Sequence, residues 1–415
     1  MAVAEAHRKE RSVGTIRKFT DGVATIAGME DARIGQPVYW EHHNHTAYCG
    51  YVFEVDAESV HCLLFDDVSS VLPGKRLRLV PDAKVLKIPF LPTLIDRSSG
   101  TTHIISPLGK HLWPEDPASA KNYDHEVSAA SHSGAAIRLP LERRAPGILD
   151  RGEIERVRGQ QILTGDPDID GAQGKNVSHG QRMLVLGDRE DRKTEYMLDL
   201  LANVAHSDPN VIFVYCAIAK TAAEIAHIRG ALKHSSAGRS LVVATRASDT
   251  VALHTIAPYA ACSIAEFHRD SGSRVLVVYD DLTRHADALR HVALLLQHPP
   301  GREAYPGDVF FAHSRLLERA AQLSRSGDGV QRPHSPEFDL HLSEYHPAQV
   351  AGRDGSLTAF PIIETLNGDF TAYLPTNAIS ITDGQLVLSI EHALKRGSAF
   401  AIDTSASVSR ISALH

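Results

Sequence analysis

The chain has 415 residues, of which 43% are hydrophobic, and its 43 Lys and Arg against 50 Asp and Glu give a formal net charge of −7. This length allows about two or three domains with a sizeable core. The acidic balance does not favour non-specific nucleic-acid binding, and no stretch is long and apolar enough to span a bilayer. The first residues, Met1 to Arg11, are polar and contain two Glu, so they are not typical of a secretory signal.

The N-terminal part predicts a small β-barrel over residues 12–92. Short apolar runs alternate there with Gly and Asp turns, as at Gly22–Gly28, Tyr48–Val55 and Val60–Phe65, and short strands at this spacing are typical of barrels. Residues of about 100–142 then become polar and rich in Ser, His, Ala and Pro. We expect this stretch to be an insertion on the surface.

Residues 93–390 predict an α/β domain. From Ala145 onward, apolar strands alternate with helical stretches, a pattern that indicates a mainly parallel sheet. A second polar stretch, at about 326–355, is expected to be another surface insertion, and strand-like residues resume at Ser356–Thr365. Residues 391–415 are expected to complete the domain.

The most informative segment of this domain runs from Gly187 to Thr194. It has the spacing of a phosphate-binding P-loop, in which backbone N–H groups surround phosphate, a lysine supplies charge and a Ser or Thr reaches Mg²⁺. Gly187, Lys193 and Thr194 are in place, but the second glycine of the pattern is Arg192. Glycine is used there because a side chain obstructs the conformation and the approach of phosphate.

The surroundings of this loop favour a true P-loop over a strand, turn and helix with a chance Lys-Thr pair. An apolar run, Arg182–Leu186, precedes the loop, and a stretch with helical spacing, Thr194–Ala202, follows it. A second predicted strand, Arg274–Asp281, ends in carboxylates. A strand ending in a carboxylate, here Asp280, is the arrangement that holds Mg²⁺ in P-loop proteins.

Several longer runs resemble the alpha subunit of F-type ATP synthases. The P-loop begins Gly187-Asp188-Arg189-Glu190, close to the Gly-Asp-Arg-Gln of the family's alpha subunits. The resemblance covers nearly the whole chain apart from the two insertions, and its most specific runs are Pro299–Phe310, His313–Ala321, Ala257–Tyr259, Phe267–Gly272, Tyr279–Leu282 and Pro375–Gln385.

The resemblance implies a subunit of three parts: an N-terminal β-barrel, a RecA-like P-loop nucleotide-binding domain of α/β class and a C-terminal helical domain. The sequence ends where the third part begins in the family, so we expect that helical domain to be absent. In the family, alpha and beta subunits alternate in a ring of six around a central stalk, and a peripheral stalk holds the ring. The expected partners are therefore beta subunits and the two stalks, with no nucleic acid and no transmembrane segment of its own.

The resemblance also implies the residues of the site. Family alpha subunits carry a non-catalytic Mg-ATP, and they lend an arginine finger to the neighbouring beta site; by motif that arginine is Arg410, in Ser407–Arg410. The positions that match the nucleotide-binding loop are Gly187, Asp188, Arg189, Arg192, Lys193 and Thr194, and those that match the Mg²⁺ ligands are Thr194 and Asp280.

The residues themselves argue against ATP hydrolysis at this subunit's own site. Hydrolysis needs a residue that positions the attacking water, and the family's catalytic subunits use a glutamate just after the strand that follows the P-loop helix. Here that place is Ala217–Thr221, which holds Lys220 and no carboxylate, while Glu224 lies on the next helix. Arg192 and the negative charges of Glu190 and Asp191 predict weak or no binding of Mg-ATP.

Two functions remain open from the sequence. In the first, the chain is a non-catalytic alpha-type subunit of a proton-driven rotary ATP synthase that contributes an interface and Arg410. In the second, it is a divergent alpha-like pseudo-ATPase that serves as a scaffold or assembly subunit. The family analogy predicts the matrix side of the mitochondrial inner membrane, or the cytoplasmic face of the plasma membrane in a bacterial relative.

Overall fold

The computed structural model of the chain describes residues 11–411, apart from 42–47, 67–69, 81–82, 84, 96–100, 113–136, 144, 146–160, 163, 165–166, 171–175, 237–238, 324–354 and 398–400. The predicted insertion at 326–355 therefore lies almost wholly outside the described residues. Within the described part, no helix combines the length and the apolar character needed to cross a membrane.

The N-terminal unit is a closed six-stranded barrel with the strand order β1-β2-β5-β4-β3-β6. The strands are antiparallel, and their inward side chains, such as Ile16, Ile26, Val52 and Leu77, form a separate small core. The predicted barrel is confirmed, although its last strand ends at Leu79, before the predicted boundary at residue 92. The strands are Val13–Thr20 (β1), Val23–Gly28 (β2), Pro37–Trp40 (β3), Gly50–Val55 (β4), Val60–Leu64 (β5) and Arg76–Leu79 (β6).

The second unit is an α/β domain around a nine-stranded sheet. Its order is β19-β18-β12-β17-β15-β13-β14-β8, with β16 paired to one end of β17. All neighbours from β18 to β8 are parallel, while β19 and β16 are antiparallel. The strands are His103–Ile105 (β8), Met183–Gly187 (β12), Ile212–Lys220 (β13), Ser240–Arg246 (β14), Arg274–Asp280 (β15), Ala321–Gln322 (β16), Ser356–Glu364 (β17), Gly384–Val387 (β18) and Val408–Ser409 (β19).

Two further strand pairs lie outside this sheet. The first joins Lys87–Phe90 (β7) to Ile137–Pro140 (β9), and the second joins Gln161–Ile162 (β10) to Val177–Ser178 (β11). The helices are Pro167–Asp170 (α1), Lys193–Ser207 (α2), Ala222–Ser236 (α3), Val251–Asp270 (α4), Leu282–Leu295 (α5), Val309–Leu317 (α6), Tyr373–Ile381 (α7) and Ile390–Arg396 (α8).

Helices cover both faces of the sheet, which is why its central strands are apolar along their whole length. Successive residues of each strand point to opposite faces. Thus Val214 and Val277 join one core with α4 and α5, while Phe213 and Val278 join a second core with α2 and α3. The first core also contains Val23, Leu63 and Phe65 of the barrel, so the barrel packs directly on the sheet domain.

The stretch 100–142, predicted as a surface insertion, instead contributes strands at both ends. β8 is the edge strand beside β14, with Ile104 and Ile105 buried, and β9 pairs with β7 and buries Leu139. The polar composition of the whole stretch hides these two short apolar segments. Its middle, 113–136, lies outside the described residues.

Buried charges account for part of the sequence that carries the family resemblance. Arg319 is fully buried and donates to Glu266 of α4 at 2.5 Å, and Arg143 lies 3.1 Å from the same carboxylate. Burial alone raises the pKa of Glu266, but the attraction of Arg319 and Arg143 outweighs it and lowers that pKa to about 2. This group of ion pairs fixes the end of α4 to the segment that follows α6, because a buried charge is tolerated when it is paired.

Candidate functional site

The predicted P-loop joins β12 to α2, at the carboxyl end of the central parallel strands. Asp188 is extended, Arg189–Asp191 form one turn of 3₁₀-helix, and Lys193 begins α2. Arg192 stands between them with φ 54° and ψ 43°, in the left-handed region. The chain therefore keeps the backbone conformation of the missing glycine, at a cost of about 1–2 kcal/mol for a residue with a side chain. The side chain of Arg192 is exposed.

The loop is held by hydrogen bonds from its own acidic side chains. Asp188 donates its backbone N–H to the Asp191 carboxylate at 2.5 Å, and the other oxygen of that carboxylate accepts the N–H of Ile390 at 2.7 Å. The carboxylate of Asp188 accepts the hydroxyl of Thr365 at 2.6 Å and the N–H of Gly368 at 3.0 Å. The two carboxylates thus attach the loop to the segments that follow β17 and β18.

Lys193 is turned into the loop as well. Its ammonium donates to the carbonyl oxygen of Asp188, and its side chain is buried. Burial lowers the pKa of Lys193, and the carboxylates of Glu364 and Asp281 oppose that shift in part. The lysine that would bind phosphate is therefore engaged with the protein's own backbone.

Asp280, at the end of β15, is the centre of a buried polar cluster. One carboxylate oxygen accepts the hydroxyls of Thr194 and Tyr215, each at 2.7 Å. The other oxygen lies 2.7 Å from the ammonium of Lys220, at the end of β13. Burial alone lowers the pKa of Lys220, but the attraction of Asp280 and Asp281 outweighs it and raises that pKa. The predicted neighbours Thr194 and Asp280 are thus brought together, with a cation already beside them.

The next residue, Asp281, is the N-cap of α5, and its carboxylate accepts the N–H of Arg284 at 2.8 Å. Burial, and then the charge of Asp280, raise the pKa of Asp281 to about 6. Glu224 is held by the start of α3: it accepts the N–H and the hydroxyl of Thr221, at 2.7 and 2.6 Å, and so closes the first turn of that helix. No side chain of the described residues at Ala217–Thr221 supplies a base for water.

Arg410 lies away from this loop. Its backbone N–H donates to Asp383 at 2.8 Å and its guanidinium to Ile379 at 3.0 Å, and the side chain is exposed. Ser409, the residue before Arg410, pairs with Gly384, which in turn pairs with Met183. Gly384 and Met183 are the first residues of β18 and β12. Arg410 therefore stands at the start of the parallel strands, whereas the P-loop stands at their end.

Three features of the site were not predicted from the sequence. The first is the ion pair of Lys220 with Asp280, because the two residues lie on strands that are far apart in sequence. The second is the hydrogen bond from Tyr215 to Asp280, because Tyr215 belongs to no recognisable motif. The spacing Asp188-x-x-Asp191 is that of a capping box, which could have indicated that the acidic residues close the loop.

A P-loop between a buried strand and a helix, with a threonine and a strand-end aspartate in contact, defines the class of P-loop nucleotide-binding α/β proteins. Residues 175–409 match the family model of the ATP synthase alpha/beta family, nucleotide-binding domain. The chain belongs to this family, and its relatives are ATP synthase alpha subunits.

These relatives come from bacteria. The chain is 37% identical over 410 residues to ATP synthase subunit alpha of Ehrlichia chaffeensis and 35% identical over 402 residues to that of Methylobacillus flagellatus, in each case over 97% of this chain and 69% of the relative. It is 33% identical over 412 residues to that of Alcanivorax borkumensis, over 99% of this chain and 70% of the relative.

The residues present do not fit a bound Mg²⁺ as the family pattern requires. The oxygens of Asp280 are taken by two hydroxyls and an ammonium, and a second cation in the same shell would be repelled. The phosphate side of the loop carries Arg192 in place of glycine and is closed by Asp191.

Proposed function

We propose that this protein is a non-catalytic alpha-type subunit in the head of a rotary F-type ATP synthase. It would occupy the place between beta subunits, contact the central and peripheral stalks, and present Arg410 to a neighbouring beta site. The observation that carries this proposal is the position of Arg410: exposed, held by Asp383 and Ile379, and at the opposite end of the sheet from its own P-loop. An arginine so placed can serve a site on another chain but not its own.

An exposed apolar surface supports the same proposal. Phe310 and Phe311 lie on α6, where the family-like run Pro299–Phe310 ends, and are 42% and 62% exposed. Adjacent exposed aromatic side chains are typical of interfaces. Because the relatives quoted above are bacterial, of the two predicted locations we propose the cytoplasmic face of a bacterial plasma membrane, reached through the complex, rather than the mitochondrial inner membrane.

The alternative is the scaffold. The left-handed Arg192 and the Lys220–Asp280 ion pair favour a pseudo-ATPase that has lost its nucleotide. This alternative differs from the first proposal in its partners, since a scaffold need not assemble with beta subunits.

Co-expression with the beta subunit of the same genome separates the two. We expect the tagged chain to isolate beta in about equal amount, as judged by mass spectrometry of the purified complex. Phe311→Asp is expected to reduce this association, because it places a charge in the proposed interface. Leu72→Asp, at a barrel residue that is also 62% exposed, serves as the matched control. Isolation without any beta subunit would favour the scaffold.

The P-loop substitution gives a second prediction. We expect the isolated protein to bind ATP weakly or not at all in calorimetric titration, with or without Mg²⁺. Arg192→Gly should strengthen binding by about tenfold or more, equivalent to about 1.4 kcal/mol, because it removes the side chain next to the phosphate position.

Arg192→Ala is the control for this experiment, because it removes the guanidinium but keeps Cβ. If Arg192→Ala restores as much affinity as Arg192→Gly, the long side chain is the obstacle. If only Arg192→Gly restores affinity, any side chain that carries a Cβ obstructs the phosphate. Micromolar binding by the unaltered protein would show that the loop accepts phosphate despite Arg192.

A further inference from the structure

The ammonium of Lys220 lies in the position of a counter-ion to Asp280. The Nζ–Oδ1 distance is 2.7 Å, and the side chains are 13% and 2% exposed. The other oxygen of Asp280, Oδ2, accepts from Thr194 and Tyr215 at 2.7 Å. Both oxygens of the carboxylate therefore have short partners, and its charge is neutralised within the protein.

The backbone beside Lys220 is shaped to place this side chain. The register between β13 and β14 shifts between Ala217 and Lys220, and Ala219 adopts φ 51° in the left-handed region. The N–H of Ala219 is held by the hydroxyl of Thr245 at 2.9 Å. Such an irregularity at the end of a strand re-aims the side chain next to it, and here that side chain is Lys220.

We propose that Lys220 is a built-in cation that replaces the divalent metal ion of this site, so that Mg²⁺ does not bind between Thr194 and Asp280. Mg²⁺ needs oxygen ligands in near-octahedral geometry at about 2.0–2.1 Å. To admit it, Lys220 would have to leave a buried ion pair, and Thr194 and Tyr215 would have to reorient. An ammonium 2.7 Å from the carboxylate already supplies one positive charge beside the group that would ligate the metal.

The ligand class follows from this arrangement. A phosphate ligand that reaches this loop would be present as its metal-free anion, because Lys220 takes the place of Mg²⁺ beside Asp280. This inference does not depend on whether the protein assembles with beta subunits, because it concerns the subunit's own polar cluster.

The first test uses the full chain and Mn²⁺, which reports bound metal by electron paramagnetic resonance. We expect that Thr194→Ala leaves the Mn²⁺ titration of the protein unchanged, with and without ATP. This result would support the proposal, because a metal held by Thr194 and Asp280 should be lost with the hydroxyl. A Mn²⁺ site that is present in the unaltered protein and lost in Thr194→Ala would overturn it.

The second test removes the built-in cation. Lys220→Gln leaves Asp280 without a counter-ion, so Mn²⁺ is expected to bind at least tenfold more tightly than in the unaltered protein, and Mg²⁺ should raise the melting temperature of the variant but not that of the unaltered protein. Lys220→Arg keeps the charge and is expected to gain no metal affinity. Lys18→Gln, at an exposed lysine of the barrel, controls for the loss of a lysine as such.

A folded Lys220→Gln that gains neither metal affinity nor a Mg²⁺-dependent melting temperature would contradict the proposal. If the variant does not fold because Asp280 is left buried and unpaired, the first test decides alone, since it needs no change at Lys220.

Discussion

Replacing Arg410 with alanine is expected to lower steady-state ATP hydrolysis by a reconstituted head on the order of 10³-fold or more. An arginine supplied from a neighbouring chain stabilises the charge that develops on the transferred phosphoryl group, and such arginines contribute roughly 10³–10⁵ in rate in well-studied phosphoryl-transfer enzymes. Because this interaction belongs to the transition state, assembly and nucleotide affinity at the beta site should change little. The measurement is turnover of the complex with unaltered or mutant subunit.

Two further variants serve as controls for this experiment. Arg410→Lys retains the charge but not the planar, bidentate guanidinium, so we expect it to recover only a part of the activity. Arg17→Ala, at an exposed barrel position, should leave turnover unchanged. Equal rates for Arg410→Ala and the unaltered subunit would leave Arg410 without a catalytic role and would favour the scaffold.

The second large effect is expected at acidic pH, where the folded protein should lose stability. Burial lowers the pKa of His179, His268 and His285 to about 4, and burial together with His285 lowers the pKa of His313 to about 3. His285 and His313 also lie 3.2 Å apart, ring nitrogen to ring nitrogen. Protonation of either therefore places an unsolvated charge in the core, and protonation of both places two.

The sign of the pH dependence follows from these shifts. An unfolded histidine takes up a proton near pH 6.5, whereas these buried rings resist until about pH 4. Their contribution to stability is complete above pH 6.5 and is lost as the pH falls towards 4, by roughly 3 kcal/mol for each group. Asp281 has the opposite effect on stability, because its pKa is raised to about 6 and its protonation favours the folded state as the pH falls. This single carboxyl group does not offset the four histidines.

We therefore expect the free energy of unfolding, measured by urea titration, to fall steeply between pH 6.5 and pH 4. His268→Phe should reduce this fall by roughly 3 kcal/mol. His268 is a suitable site because its ring lies at 5.8 Å from that of Phe90 and 5.2 Å from that of Phe267, so an apolar ring fits there. An unchanged slope in His268→Phe would show that His268 titrates normally in the folded protein.

The repeating features of the fold could be predicted from the sequence. The strand before the P-loop, the helix after it and the strand that ends at Asp280 are long apolar or amphipathic runs, whose periodicity is set by local geometry. The barrel strands are short but regular, and they too were predicted. Gly187, Lys193, Thr194 and Asp280 follow from their motif spacing, and Thr194 and Asp280 are in contact as expected.

Contacts between distant segments could not be predicted in the same way. β8 has only three residues and lies in a polar stretch, and its place beside β14 depends on the edge of a sheet that forms elsewhere. The ion pair of Lys220 with Asp280 depends on the parallel pairing of β13 with β15 and on the left-handed turn at Ala219. A single lysine in a sequence gives no indication of either.

The internal hydrogen bonds of the P-loop have a consequence for the stability of the isolated chain. A protein that binds ATP only when folded gains stability from it by mass action, so its folded population follows the ATP concentration. Here Asp191, Lys193 and Lys220 complete the hydrogen bonds and charges of the loop without a ligand. The stability of the isolated chain is therefore expected not to change with the ATP concentration.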